Sequence, residues 1–296
     1  MSHPGFNGGL ATRRAVELQV SRSRRPISGR AQRQQLETKL ATLQKDYSDL
    51  HTEVFEAAQV HRRLCAPRLI RYGDFEVASE IFAVRHLAGD FFTVKNSGSK
   101  ALLSFGDICG KGLAAGMWTT LLVGLVGARA TVSSEPESIV SGVNRDVCLM
   151  ASMVPLASLF IARLDTTDGK LEYCTAGHPP AMLLRANGKL EMLSDGGLLL
   201  GVVPNAPYIK GTVDLAPGDL LLVYSDGVLE SLNKADEEFG LARLETELRQ
   251  APNDSAEAVL FSVLGAVQDF AATHPLVDDL SVVIVRRDRS NTNPIH

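Results

Sequence analysis

Two tight-turn dipeptides constrain the fold of this chain more than any other feature. Asp168-Gly169 follows the apolar run Ala157–Asp165, and Asn187-Gly188 separates Ala181–Arg185 from Leu190–Leu193. Asp-Gly and Asn-Gly between apolar runs favour turns whose twist matches a pair of antiparallel strands. Further strand runs read at Phe75–Ile81, Phe91–Lys95, Ala101–Gly106, Lys170–Thr175, Leu220–Tyr224 and Leu280–Val285. Helical patterning falls at Leu113–Thr131, Pro136–Ala151, Leu241–Arg249 and Ser255–Thr273, with Pro136 suited to a first helical position and Asp254 or Ser255 placed to cap the last helix. Strands and paired helices occur without βαβ alternation. The expectation is an α+β fold of two mainly antiparallel sheets with helices outside.

The first quarter of the chain differs in kind. Residues 1–65 carry 11 Lys and Arg against 6 Asp and Glu, whereas residues 66–296 carry 19 against 28. Residues 1–30, rich in Gly, Ser and Arg, read as a flexible basic arm. Residues 31–66 read as a helix. Leu36, Leu40, Leu43, Tyr47, Leu50, Val54, Ala57, His61 and Leu64 alternate steps of four and three, an a/d heptad seam. Such a seam pairs with a second copy as a coiled coil, or else belongs to a single amphipathic helix lying on its own domain. His61 at a seam position weakens a coil or marks where it diverges, and Pro67 ends the helix. The tail, 289–296, reads as disordered.

The longest apolar tract, Leu113 to Ala128, is shorter than the ~20 residues a membrane-spanning helix needs, so no membrane span is expected. No apolar segment follows Arg13-Arg14 in the manner of an export signal. Cys65, Cys109, Cys148 and Cys174 form no CxxC pair, as expected of reduced thiols in a cytoplasmic protein. With 296 residues the chain can bury a core without metal staples, so a bound metal would serve function.

Four acidic points follow or precede apolar runs: Asp90 in Ala88-Gly89-Asp90-Phe91, Asp107 in Gly106-Asp107-Ile108-Cys109-Gly110-Lys111-Gly112, Asp226 in Tyr224-Ser225-Asp226-Gly227, and the pair Asp278-Asp279 before Leu280. A carboxylate at the edge of a core is costly to desolvate without a proton, a donor or a cation. Singly, each fits a turn or a strand-end cap. Together, with almost no competing His or Cys, they form the oxygen ligand set that hard cations prefer, and two such ions can clamp an in-line phosphoryl displacement. Gly106 to Gly112 is not a P-loop, because Gly112 stands where Ser or Thr is required. Lys111 can meet a phosphate at the start of the following helix or simply face solvent. His178, in Ala176-Gly177-His178-Pro179-Pro180, reads as a general acid or base or as a loop-organising side chain. Ser225 lacks a GxSxG elbow and a triad partner, so a serine nucleophile is rejected.

In order along residues 66–288, these segments, with Leu199-Leu200-Gly201 and Asp278-Asp279-Leu280-Ser281, resemble the PPM family of metal-dependent serine/threonine phosphatases, in its bacterial SpoIIE-like, RsbU-like branch. The resemblance implies a phosphatase domain at 67–288 built as an α-β-β-α sandwich, with two Mn²⁺ or Mg²⁺ ions at one edge of the sheets. It implies that Asp107 bridges both ions with the Ile108 carbonyl beside it, that Asp90 holds one ion partly through water, and that Asp226 and Asp278, or the adjacent Asp279, complete the set. A metal-bridging hydroxide then attacks phosphorus directly. The implied substrate is phosphoserine or phosphothreonine on a regulatory partner, typically an anti-anti-sigma (STAS-domain) protein. Thr93 stands where the family places a trailing aspartate, and Ala88 where it places a glycine. Homodimerisation through the N-terminal helix, or an activator bound at residues 1–66, is expected to act on the metal site through the helices near Leu113–Thr131. The competing readings are a noncatalytic phosphatase-like scaffold and a metal phosphodiesterase. The acidic balance of the second part disfavours nucleic acid as partner or substrate.

Overall fold

The protein is described by a computed structural model covering residues 29–65, 69–150 and 155–289. The expected basic arm up to residue 28, Pro67, Ala151 and the tail from residue 290 lie outside the described residues. The chain divides into two units after Phe55.

A 37-residue helix, α1 (Gly29–Cys65), opens the described chain. Its seam residues Leu36, Leu40, Leu43, Tyr47 and Leu50 are all exposed. At its last turns, within the second unit, the pattern changes: His61 and Cys65 are buried while Leu64 is exposed. The seam read from the sequence therefore stops short of His61. Cys65 belongs instead to a core cluster of the second unit. His61 lies beside it, 3.8 Å from its sulfur, and burial lowers the imidazole pKa.

The second unit is the expected four-layer sandwich. One sheet runs in the order β1-β2-β12-β11-β7-β8, from β1 (Leu69–Tyr72), β2 (Phe75–Phe82), β12 (Leu280–Arg287), β11 (Leu220–Tyr224), β7 (Ala181–Leu184) and β8 (Leu190–Leu193). The other runs β10-β6-β5-β4-β3, from β10 (Gly211–Asp214), β6 (Lys170–Ala176), β5 (Ala157–Asp165), β4 (Lys100–Ile108) and β3 (Phe91–Ser97). A two-residue strand, β9 (Gly196–Gly197), pairs parallel to β6; the other pairings are antiparallel. Asp168-Gly169 turns β5 into β6 and Asn187-Gly188 turns β7 into β8, as the dipeptides demand.

Alternation along each strand divides its side chains between two cores. Leu221 and Val223 of β11, Val283 and Val285 of β12, and Phe160 and Leu164 of β5 fill the space between the sheets. Leu220, Leu222 and Tyr224, with Val282 and Ile284, face α5 (Gly240–Gln250) and α6 (Ala256–Ala271). Leu159 and Ile161 face α2 (Leu113–Val132) and α3 (Pro136–Leu149). Both faces of both sheets are covered, so these strands read as uninterrupted apolar runs despite antiparallel pairing. Pro136 takes the first helical position of α3, and Ser255 caps α6 by accepting a bond from the Ala258 amide at 3.0 Å.

Helix α2 runs one residue beyond the expected Leu113–Thr131 and, at 20 residues, is long and apolar enough to cross a bilayer by length and composition alone. In the fold it buries Ala115, Thr119, Leu122 and Val126 while Leu113 and Met117 remain exposed. The sequence reading also missed β1, β9, β10 and a single helical turn, α4 (Asp226–Leu229). The three strands are two to four residues long and lie at or beside sheet margins, so too few side chains are buried to print a period.

Candidate metal centre

Strand pairing gathers the acidic residues. Phe91 of β3 lies opposite Gly106 of β4, so Asp90 and Asp107 occupy the same end of one sheet. Tyr224 of β11 lies opposite Val282 of β12, so Asp226 and the Asp278-Asp279 pair occupy one end of the other. The two ends meet across the sandwich, where Asp107, Ser225 and Asp226 line one pocket. Two glycines permit the approach. A Cβ on Gly89 would lie 3.0 Å from the Ile108 carbonyl oxygen and 3.4 Å from Asp107 Oδ1. One on Gly227 would collide with the Asp279 carbonyl at 2.1 Å.

The carboxylates repel one another. Asp90 is almost wholly buried, and burial followed by the charge of Asp107 pushes its pKa well above the ordinary carboxylate value. Asp107 is raised to about 6, by burial and then by Asp226. Asp226 is raised by burial and then by Asp278. Asp90 Oδ2 is buried without a hydrogen-bond partner among the described residues. Like charges held together at a desolvated edge, with an orphaned acceptor among them, are the setting a hard divalent cation would relieve. Among the described residues no three acidic or imidazole side chains already stand at the spacing of one ion. The donor chemistry fits the expected ions.

Asp278 and Asp279 part company. Both oxygens of Asp279 are committed to backbone, Oδ1 to the Val84 amide at 2.8 Å and Oδ2 to the Gly89 amide at 2.6 Å. Asp278 instead forms an ion pair with Lys111 Nζ at 2.8 Å and accepts the Asp279 amide on Oδ1 at 2.8 Å. Lys111 also donates to the Val277 carbonyl. It therefore does not simply face solvent; its ammonium offsets one of the site's carboxylates.

The adjoining pocket, a cavity of about 450 Å³, is lined by Asp107, Asp226, His178, Pro179, Leu199 and Cys109, among others. His178 is buried, and burial lowers its pKa to about 4, so the ring is neutral at physiological pH. Its Nδ1–H donates to the Pro179 carbonyl at 2.9 Å, and the ring meets Phe105 edge-on at 5.0 Å. Those contacts organise the loop. Ser225, rejected as a nucleophile, is a buried cross-brace: its hydroxyl donates to the Asp279 carbonyl at 3.1 Å and accepts the Ser281 amide at 3.0 Å. The sequence reading missed Thr119. From inside α2 its hydroxyl reaches the Gly89 carbonyl at 2.7 Å, anchoring the loop that carries Asp90. A buried hydroxyl in an apolar helix was the only available signal.

The family model for Stage II sporulation protein E (SpoIIE) matches residues 97–288. The chain belongs to the SpoIIE family. Among curated relatives, Protein IcfG of Synechocystis sp. is 23% identical over 291 residues, covering 86% of this chain and 44% of IcfG. The chain thus spans less than half of IcfG. Phosphoserine phosphatase RsbU of Bacillus subtilis is 21% identical over 249 residues, covering 83% of this chain and 73% of RsbU. Among solved structures, the SiaA-PP2C domain of Pseudomonas aeruginosa superposes with a TM-score of 0.71 at 17% identity, covering 84% of this chain and all of that domain. The α-β-β-α sandwich of this SpoIIE-family chain is therefore the fold of a PP2C domain.

Proposed function

We propose that this SpoIIE-family chain is a metal-dependent protein phosphatase that removes phosphate from phosphoserine or phosphothreonine on a regulatory partner of the anti-anti-sigma (STAS-domain) kind. One observation carries the reading: Asp90, Asp107, Asp226 and Asp278 gather at one edge of both sheets, and the buried oxygen of Asp90 has no hydrogen-bond partner among the described residues. In this reading Asp107, with the Ile108 carbonyl, Asp226 and Asp278 hold two Mn²⁺ or Mg²⁺ ions, and Asp90 supports one of them. Asp279 is a tether for the 84–89 loop rather than a ligand. When bound, two hard divalent ions supply Lewis acidity to a phosphoryl group and to water. The protein's own part is to hold the carboxylates close together and oriented, so that a cation rather than a proton can offset their raised pKa values, and to offset phosphoryl charge with Lys111. The pocket beside Asp107 and Asp226 admits the phosphorylated side chain. The likeness to RsbU, named a phosphoserine phosphatase, supports the substrate class.

The same reading places a second copy of the chain, or an activator, on the N-terminal helix. The exposed seam of Leu36, Leu40, Leu43, Tyr47 and Leu50 supports it. Four cysteines without a disulfide support a cytoplasmic setting.

The test is phosphate release from a phosphoserine peptide and from p-nitrophenyl phosphate, with Mn²⁺, with chelator, and with Asp226→Asn. Release that requires Mn²⁺ and falls roughly 100-fold in the variant is expected. Metal-independent release, or an unimpaired variant, refutes the assignment.

A further inference from the structure

The loop that follows β9 presents apolar side chains beside the pocket. Leu198, Val202 and Val203 are 53%, 46% and 43% exposed. Scattered exposed apolar residues are ordinary, but these sit on a segment that the fold holds fixed. Leu200 exchanges two backbone hydrogen bonds with Ala157, at 2.9 and 3.4 Å. Asn144, almost fully buried, ties the loop with both ends of its amide: Oδ1 accepts the Gly201 amide at 2.9 Å, and Nδ2 donates to the Val203 carbonyl at 2.7 Å and the Pro204 carbonyl at 3.3 Å. Tyr208 donates its hydroxyl proton to the Leu198 carbonyl at 3.0 Å. An apolar group carried on an immobilised backbone loses little entropy when a partner covers it.

The loop is continuous with the pocket. Leu199, between the exposed residues, is itself a pocket wall together with Asp107 and Asp226. Leu156, also partly exposed, joins the two: a Cβ on Gly201 would lie 3.4 Å from its Cδ2, and its carbonyl accepts the amide of Cys109, another pocket residue, at 2.9 Å. A phosphoseryl side chain that reaches the aspartates leaves its own flanking residues at this mouth.

We propose that Leu156, Leu198, Val202 and Val203 form an apolar docking rim that binds hydrophobic side chains flanking the phosphorylated residue, so that the chain selects protein substrates by local sequence. The inference rests on the phosphatase reading and adds the determinant of substrate choice. Its occupant is the phosphoprotein substrate, because the rim is continuous with the pocket where that substrate would react.

The test uses two short phosphoserine peptides, identical except for leucines or serines on both sides of the phosphoserine, with p-nitrophenyl phosphate as a substrate too small to reach the rim. Wild-type protein is expected to favour the leucine peptide by about tenfold or more in kcat/KM. In the double variant Leu198→Ser with Val202→Ser that ratio should collapse towards one, mainly through KM. Its p-nitrophenyl phosphate hydrolysis and thermal midpoint should match wild type, as expected for exposed positions. No preference in the wild-type protein, or a preference that survives in the variant, overturns the rim. If wild-type protein with Mn²⁺ hydrolyses neither peptide nor p-nitrophenyl phosphate, the phosphatase reading falls and the rim falls with it.

Discussion

Adjacent aspartates with different partners make a sharp test of the site. Asp279→Asn keeps the side-chain shape but offers one oxygen and one NH₂ group to two backbone donors, the amides of Val84 at 2.8 Å and Gly89 at 2.6 Å. One donor, in a buried setting, loses its acceptor and faces another donor. An unsatisfied buried donor costs about 1–3 kcal/mol, and losing the ionised acceptor weakens the bond that remains, so a loss of about 2–4 kcal/mol is expected. For a domain of this size that corresponds to a thermal midpoint lower by on the order of 10 °C. Asp278→Asn should behave differently. Its ion pair with Lys111 is about one-third exposed on each side, where such a pair is worth about 0–1 kcal/mol, and removing its charge relieves Asp226. Its net effect on the metal-free protein should stay within about 1 kcal/mol. The assay is urea unfolding in chelator, followed by Mn²⁺ titration calorimetry on both folded variants. Asp278→Asn should lose more than about tenfold in Mn²⁺ affinity, and Asp279→Asn much less. If Asp278→Asn were the more destabilising change, or Asp279→Asn the one that lost the metal, the division of labour drawn here would be wrong.

Two other outcomes follow from particular contacts. Burial holds His178 at a pKa of about 4, below its ordinary 6.5, so the unfolded chain takes up this proton first as pH falls. The stability it contributes is complete above pH 6.5 and is lost down towards pH 4, about 3 kcal/mol in all. The difference in unfolding free energy between wild type and His178→Phe should shrink by that amount over this window, and a pH-independent difference refutes it. In the N-terminal helix, Leu43→Lys places a charge on the exposed seam. Sedimentation should show a dimer in the wild type and a monomer in the variant, and an unchanged sedimentation coefficient counts against the coil.

Much of the fold was legible because both faces of each sheet are covered. Runs such as Leu220–Tyr224 and Leu280–Val285 then need no periodicity to be read as strands, only their length and the turns beside them. The acidic residues were legible for a related reason: an aspartate ending such a run, as Asp107 and Asp226 do, is too costly to leave there without compensation. What escaped was non-local. That Asp279 turns to the Val84 and Gly89 amides while Asp278 turns to Lys111 depends on a loop almost 200 residues earlier. His61 already marked where the heptad seam could diverge, but its burial in the second unit could not be read from a spacing that it continues. Thr119 carried only the weak signal of a hydroxyl in an apolar helix, and the edge strands β1 and β10 bury too little to leave a pattern.

The last strand has a consequence for how this chain is made. Although β12 is the last strand among the described residues, it lies inside its sheet between β2 and β11, and Phe82 pairs with Leu280 across most of the domain's length. The segment just ahead of it carries both Asp278 and the tether Asp279. During synthesis a ribosome has therefore released Asp90, Asp107 and Asp226 long before the sheet can close or the acidic set can be completed. A chain that ends before Asp278 lacks both the strand that joins β2 to β11 and part of the acidic cluster. The topology makes closure of this sheet and completion of the acidic cluster one late event, reached only when the segment from Asp278 through β12 has emerged and slotted home.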